Sequence, residues 1–280
     1  MTWRAGTALF LAMAALFLIA NRGAYEGFFF GDDLDNLSWT RDLPLADFAA
    51  GLLTPRLFAN NFRPVGHFLY RVLEQPAGLD YRVYVAVIHG LHFVNVWLVW
   101  RLARQLGAAP LAASAGTLVF AFHMALFDAY WKPMYLFDLL CALFSLASLL
   151  LYARRRYVAC FVAFWLAYKS KELAVMLPAE LAAYEWWFGE RNWKRLAPFA
   201  AVSLCFGAQA LSVRPASNDE YTLRLAPWTI WKCVAFYSSQ ILLVPFAGLF
   251  LVAAAWLARD RRVRFGLTMT ALLLAPLLLL

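Results

Sequence analysis

The sequence predicts an all-α polytopic membrane protein, a bundle of about nine transmembrane helices with a large first external loop carrying interfacial helices. Three observations predict it. Of the 280 residues, 64% are hydrophobic and the mean hydropathy is +0.62, a composition that water-soluble domains do not approach. The apolar residues gather in runs long enough to cross a bilayer. The 25 basic residues, which against 17 acidic ones leave a net charge of +8, sit in short clusters between those runs. That is the positive-inside pattern and not a basic face, so no nucleic-acid partner is expected.

The first run, Ala5 to Ala20, follows a single early positive charge at Arg4. It is slightly longer than a signal-peptide core and lacks a clean small-x-small cleavage site, so it reads as an uncleaved first transmembrane helix. Gly23 to Arg82 is amphipathic and rich in Pro, Asn and Arg, and no part of it would span a bilayer. It is the large external loop, with a short interfacial helix expected around Pro44 to Leu53. Further spans are expected over Val83 to Trp100, Pro110 to Phe127, Met134 to Ala153, Tyr157 to Tyr168, Leu173 to Phe188, Leu196 to Val213, Trp228 to Leu257 and Phe265 to Leu280. Tyr157 to Tyr168 is shorter than the ~20 residues a crossing needs, and is expected to borrow Arg155, Arg156, Lys169 or Ser170 by snorkelling. The whole of 1–280 is expected to form one transmembrane domain, and its end inside an apolar run at Leu280 suggests a truncated chain.

Charge sets the expected orientation. Arg4, Arg101 with Arg104, Arg154 to Arg156, Arg191 with Lys194 and Arg195, and Arg259 with Arg261, Arg262 and Arg264 fall on alternate connections, which places them on the cytoplasmic side. The first loop and the connections around Asp128, Lys171 and Asp219 then face outward. Of the 17 acidic residues, all but Glu180, Glu185, Glu190 and Asp260 fall on that outer side. Acidic residues contribute little to orientation, so this segregation suggests that the outer face carries the chemistry. Cys141, Cys160, Cys205 and Cys233 all lie in apolar segments with no Cys-x-x-Cys spacing, and read as small buried packing residues.

The motif of greatest weight is Phe28-Phe29-Phe30-Gly31-Asp32-Asp33-Leu34-Asp35-Asn36, which puts three carboxylates within four positions directly after the first apolar span. Carboxylates this close repel one another, so they persist where a cation, a proton donor or a reaction uses them. An isolated Asp-Asp pair is also a common solvated turn. Asn60-Asn61-Phe62-Arg63-Pro64-Val65 ends the same loop, and its Arg is suited either to fork onto a phosphate or to pair with lipid headgroups. His89-x-x-His92-x-x-Asn95 has helical spacing deep in the second span, where interhelical hydrogen bonding is a better use than metal binding. The outward loop His123 to Pro133 supplies Asp128 and Lys132 in an aromatic setting. Lys169-Ser170-Lys171-Glu172 puts two Lys at an outward helix junction, against the positive-inside preference, which suggests an anionic ligand; a hairpin tip with one Lys–Glu pair is the plain alternative. Glu180 is a mid-span carboxylate without an assigned role.

Taken in order, Asp32-Asp33, Phe62-Arg63-Pro64-Val65, His92-Phe93-Val94-Asn95, Phe122-His123 with Asp128, Ser170-Lys171-Glu172 and Leu177-Pro178 resemble the run of motifs in C-type (GT-C) membrane glycosyltransferases. The nearest branch is similar to the protein O-mannosyltransferase clan, including transmembrane mannosyltransferases joined to tetratricopeptide repeats and their bacterial relatives. The chain departs from the family pattern where His123-Met124 and Asp128 stand in place of His-Pro and Glu, and where Lys132 stands in place of Arg.

The resemblance implies a polyprenyl-phosphate sugar as donor, a protein, lipid or polysaccharide acceptor, and a bacterial inner membrane with the site facing the periplasm or exterior. Such transfer needs a carboxylate to take the acceptor hydroxyl's proton and cations to stabilise the departing phosphate. Asp32 or Asp33 is the expected base, oriented by the other and by Asp35. Arg63 and Lys171 are the phosphate candidates, with Lys132, Lys169 and Glu172 as further binding residues. Asp128 is expected to position a substrate or to hold a divalent ion, Mg or Mn, with Asp32 and Asp33. One base and no evident nucleophile favour single displacement with inversion. Two other readings stand beside this one: a transporter or flippase of lipid-linked sugars, and a noncatalytic membrane assembly subunit.

Overall fold

The computed structural model describes residues 3–56, 61–212, 226–242, 253, 257 and 259–276, which form helices joined by turns and short connections, with no strand among them. The α-helices are α1 (Trp3–Ala20), α2 (Asp32–Arg41), α3 (Leu45–Leu53), α4 (Pro64–Ala77), α5 (Tyr81–Gln105), α6 (Pro110–Ala121), α7 (Phe127–Trp131), α8 (Leu136–Ala153), α9 (Tyr157–Ser170), α10 (Leu177–Trp187), α11 (Ala197–Ser212), α12 (Pro227–Leu242) and α13 (Arg261–Leu274). They fall into two compact units, one of Met1–Thr54 with Phe58–Ala174, the other of Pro55–Leu57 with Val175–Leu280.

Fewer helices than the nine expected spans meet the length and apolarity of a membrane crossing. Two do so among the described residues, Tyr81–Gln105 and Pro133–Ala153. The count is three if Pro110–Ala121 and Met124–Trp131, bent by 45° between them, form one broken span. Gly6–Ala20 and Tyr157–Ser170 are apolar but shorter. The expected span over 173–188 is instead a 3₁₀ turn, Glu172–Met176, followed by α10 with 11 residues. At 1.5 Å per residue α10 rises only ~16 Å, about half of a bilayer core. Much of 228–257 and the end of 265–280 lie outside the described residues.

In the first unit α5 packs on α6 and α8, and α8 pairs with α9. The α8–α9 seam uses small side chains: Ser148 Oγ donates to the Cys160 carbonyl at 3.0 Å, and Ala163 and Ala167 are buried. Small residues let two helix backbones approach closely where lipid leaves no hydrophobic drive between helices. A helix stands at the expected Pro44 to Leu53 as α3. Across the ends of α5 and α8 lie α2 and α4, sharing a core of Leu37, Tyr70, Tyr84, Ile88, Leu136 and Phe137. Gly66 on α4 is the close-contact point with α8, since a Cβ there would stand 2.2 Å from the Phe137 ring.

The histidine pair behaves as interhelical glue. His92 Nε2 bonds the Ala121 carbonyl at 3.0 Å, and His89 bonds the Tyr130 carbonyl through Nε2 at 2.8 Å and the Tyr25 hydroxyl through Nδ1 at 3.0 Å. Asn95 Nδ2 donates to the Leu139 carbonyl at 3.0 Å. Cys141 and Cys160 are buried as expected, whereas Cys205 is exposed; none of the four forms a disulfide among the described residues.

In the second unit α10 packs on α11 and α13. Glu185, 2% exposed, accepts from the Asn192 backbone N–H at 3.2 Å and faces Arg195, which also pairs with Glu190 at 3.0 Å. Glu180 is buried on the same helix.

Candidate functional site

The site is built at one end of the first unit, where the start of α2, the start of α4, the α7–α8 connection and the residues after α9 converge. Gly31 opens α2 with φ +53° and ψ −121°, a backbone conformation that side chains rarely tolerate, and this turn projects Asp32, Asp33 and Asp35 from the first helical turn. Carboxylates there meet the unpaired N–H groups and positive end of the helix dipole, which offsets their mutual repulsion.

The two adjacent carboxylates occupy different environments. Asp32 and Asp35 are exposed, whereas Asp33 is 2% exposed. Asp33 Oδ2 accepts from the Phe30 N–H and Oδ1 from the Tyr70 hydroxyl, both at 3.4 Å. Burial pushes its pKa above the usual carboxylate value, against the hydrogen bonds from Phe30, Met134 and Tyr70 and with a smaller push from Asp32. Of the adjacent pair, only Asp32 is open to solvent.

Arg63 caps α4 just before Pro64. Its Nε and Nη2 donate to Glu172 Oε1 and Oε2, both at 2.9 Å, and its guanidinium lies 5.4 Å from the Phe137 ring centroid. Two of five guanidinium N–H groups are used in this fork, which leaves donors for a second anion. Lys171 Nζ donates to Asp138 Oδ1 at 2.6 Å, again leaving two of three N–H groups. Asp128 and Lys132 pair at 2.9 Å across one helical turn. This hydrogen bond raises the Lys132 pKa, helped from further off by Asp33. The Tyr135 hydroxyl lies within electrostatic reach of Asp128, Lys132, Asp138 and Asp32, which ties the first loop to the α7–α8 connection.

Lys169 departs from the sequence expectation. It is 3% exposed in the last turn of α9, with its ammonium 5.3 Å from the Trp165 ring and 5.1 Å from that of Tyr168, so it is buried against aromatic faces. Nor does Lys171 wait for an outside anion to balance its charge, because Asp138 already faces it. Of the expected divalent-ion set of Asp32, Asp33 and Asp128, Asp33 is engaged by N–H and O–H donors and Asp128 by Lys132. Among the described residues no three His, Cys, Asp or Glu side chains gather for an ion.

Sequence reasoning missed Asp138, His67, Asn36 and Tyr70. Asp138 had a signal, being an acid in the first turn of an apolar helix. The other three form a chain. The Arg63 backbone N–H donates to His67 Nδ1 at 2.9 Å, so the ring proton sits on Nε2, which bonds Asn36 Oδ1 at 3.0 Å. The Asn36 side chain is hydrogen-bonded to the Tyr70 hydroxyl, which donates to Asp33. His67 is 3% exposed among Trp39, Phe62 and Phe137, and burial, with the nearby Arg63 charge, depresses its pKa to about 3. It is a neutral imidazole at any physiological pH.

Comparison with protein-family models, curated proteins and solved structures returns no match to this chain.

Proposed function

We propose that this chain is a membrane glycosyltransferase that moves a sugar from a polyprenyl-phosphate donor to an acceptor hydroxyl on the outer face of the membrane, by inverting single displacement. One observation carries the reading: motifs separated by more than a hundred residues, Arg63 and Glu172 among them, meet in the first unit, where the exposed Asp32 and the Lys171 partner Asp138 both lie within electrostatic reach of Tyr135. Acid and fixed cation side by side is the pairing that sugar transfer from a phosphate leaving group requires.

In this reading Asp32 takes the proton from the acceptor hydroxyl as its oxygen attacks the anomeric carbon. The bond to the phosphate oxygen breaks on the opposite face, and the departing phosphate takes up the electron pair. Arg63 and Lys171 donate their remaining N–H groups to that phosphate, while Glu172 and Asp138 hold the two cations in place. Asp33 orients the α2 turn, and the Asp128–Lys132 pair borders the acceptor side. Asp35, exposed on the same turn, contacts the sugar. The exposed aromatic pair Phe28 and Phe30, 76% and 75% accessible beside the acid turn, suits the first isoprene units of a lipid carrier. The outward orientation of this end rests on the alternation of Arg clusters, and the setting is a bacterial inner membrane.

The test is a membrane assay with a panel of radiolabelled polyprenyl-phosphate sugars, following label into protein, lipid and polysaccharide fractions. Label transferred by wild type and lost in Asp32→Asn supports the reading. No transfer from any donor overturns it.

A further inference from the structure

We infer that His67 is a positioning residue, the middle link of a hydrogen-bonded strut that fixes the acid turn of α2 against Arg63. The inference rests on the transferase reading for its consequence in catalysis, though the strut itself is a matter of hydrogen-bond geometry.

The direction of each bond follows from chemistry. A backbone N–H can only donate, so His67 Nδ1 accepts from Arg63 and the single ring proton of the neutral imidazole stands on Nε2. Nε2–H therefore donates to Asn36 Oδ1 at 3.0 Å, which leaves the Asn36 amide N–H groups for the Tyr70 oxygen. Tyr70 in turn spends its proton on Asp33 Oδ1. Every link points the same way, from the Arg63 backbone to a carboxylate, and such chains polarise one another and strengthen together.

Position and burial suit the role. His67 sits four residues into α4, and its side chain returns to the backbone N–H of the helix-capping residue, as the acidic residue of a capping box does. This holds Arg63 at the residue whose guanidinium forks onto Glu172. On the other side the ring is clamped by Trp39 at 4.6 Å, Phe137 at 4.8 Å and Phe62 at 5.7 Å between centroids. An imidazole enclosed like this has no route to substrate. It can neither act as the base nor bind phosphate, but it sets the separation between the groups assigned to those tasks.

The test uses the full chain in nanodiscs and three variants. His67→Leu removes both links; His67→Asn keeps an acceptor where Nδ1 stood and loses the reach to Asn36; Tyr70→Phe breaks the strut further along. Hydrogen exchange is read by mass spectrometry over 61–67 and over 32–41. His67→Leu is expected to speed exchange in both segments, and His67→Asn only in 32–41. Turnover should fall by about ten- to a hundredfold in His67→Leu with the donor KM within about twofold, the signature of misplacement and not of lost binding. Tyr70→Phe combined with His67→Leu should cost little more than either alone, since one break already opens the strut.

Unchanged exchange over 32–41 in both His67 variants overturns the strut. So does full additivity of the His67 and Tyr70 effects on exchange rates. Wild-type protein that transfers no sugar overturns the transferase reading alone, because exchange and additivity are measured without substrate.

Discussion

Asp32→Asn and Asp33→Asn are expected to separate two functions that adjacent carboxylates carry. Asp32 is exposed on the first turn of α2, so its amide keeps the shape of the turn and loses only the ability to accept a proton. General-base contributions run at roughly 10²–10⁴-fold, and turnover should fall by about that range with donor binding and thermal stability unchanged. Asp33 works differently because it is 2% exposed and burial raises its pKa. A carboxyl whose folded pKa lies above its unfolded value supports the fold most at low pH, where both states hold the proton. Its contribution then declines as pH climbs from the ordinary value of 3.8 through the raised folded value. Asn removes the buried charge and its carbonyl oxygen still accepts the Tyr70 O–H, at the loss of the long bond from the Phe30 N–H, which its amide nitrogen cannot accept. Asp33→Asn should therefore melt at or above the wild-type temperature near neutral pH and lose part of the wild-type decline in stability between acid and neutral pH. Its turnover should fall by about tenfold or less, since it removes a charge and not the base. Fluorimetric melting across pH in detergent, beside turnover with radiolabelled donor, reads both effects. An Asp33→Asn protein that melts more than about 4 °C lower at neutral pH, the effect of roughly 1–2 kcal/mol in a chain of this size, would refute the assignment of burial as the dominant influence on Asp33. Wild-type turnover in Asp32→Asn would remove it as the base.

The remaining expectations concern the cations, the packing and the orientation. Arg63→Lys replaces a planar fork with a point charge and leaves one Glu172 oxygen unpaired, so donor KM should rise by about tenfold or more, as in Lys171→Gln, while exposed Arg82→Ala leaves it within about twofold. Equal donor KM in all three would sink the phosphate assignment. Gly66→Ala drives a methyl to 2.2 Å from the Phe137 ring and should destabilise the first unit by about 1–3 kcal/mol, seen as a lower melting temperature; an unchanged one would mean that α4 and α8 can separate freely. In a background without native cysteines, Ala46→Cys should label from outside the cell, and Ala109→Cys, beside the Arg101 and Arg104 cluster, only after permeabilisation. The reverse pattern would invert the topology and move the candidate site to the cytoplasm.

The stretches that carry the candidate site are legible in the sequence, but their partners are not, and the reason is physical. Three acids after an apolar run, or an Arg before a Pro, stand out locally because charge is scarce in a chain with 15% charged residues. Which carboxylate answers which cation depends on helix ends meeting in space. Arg63 finds Glu172 over 109 residues and Lys171 finds Asp138 over 33, and no local pattern encodes either pairing. The same holds for span number. Apolar runs mark nine segments, yet length decides what crosses a bilayer, and the break that ends the 3₁₀ turn at Met176 shortens one run to 11 helical residues. Lys169 shows the converse error. Two residues before Lys171, it shares its charge but not its setting, because Lys169 is buried in the last turn of α9 whereas Lys171 stands past the helix end in extended backbone and pairs with Asp138. Local reading therefore finds the charged residues but cannot assign their directions. His67 escaped because a buried neutral histidine on an amphipathic helix leaves no mark of charge, although it links the Arg63 backbone to Asn36 on α2.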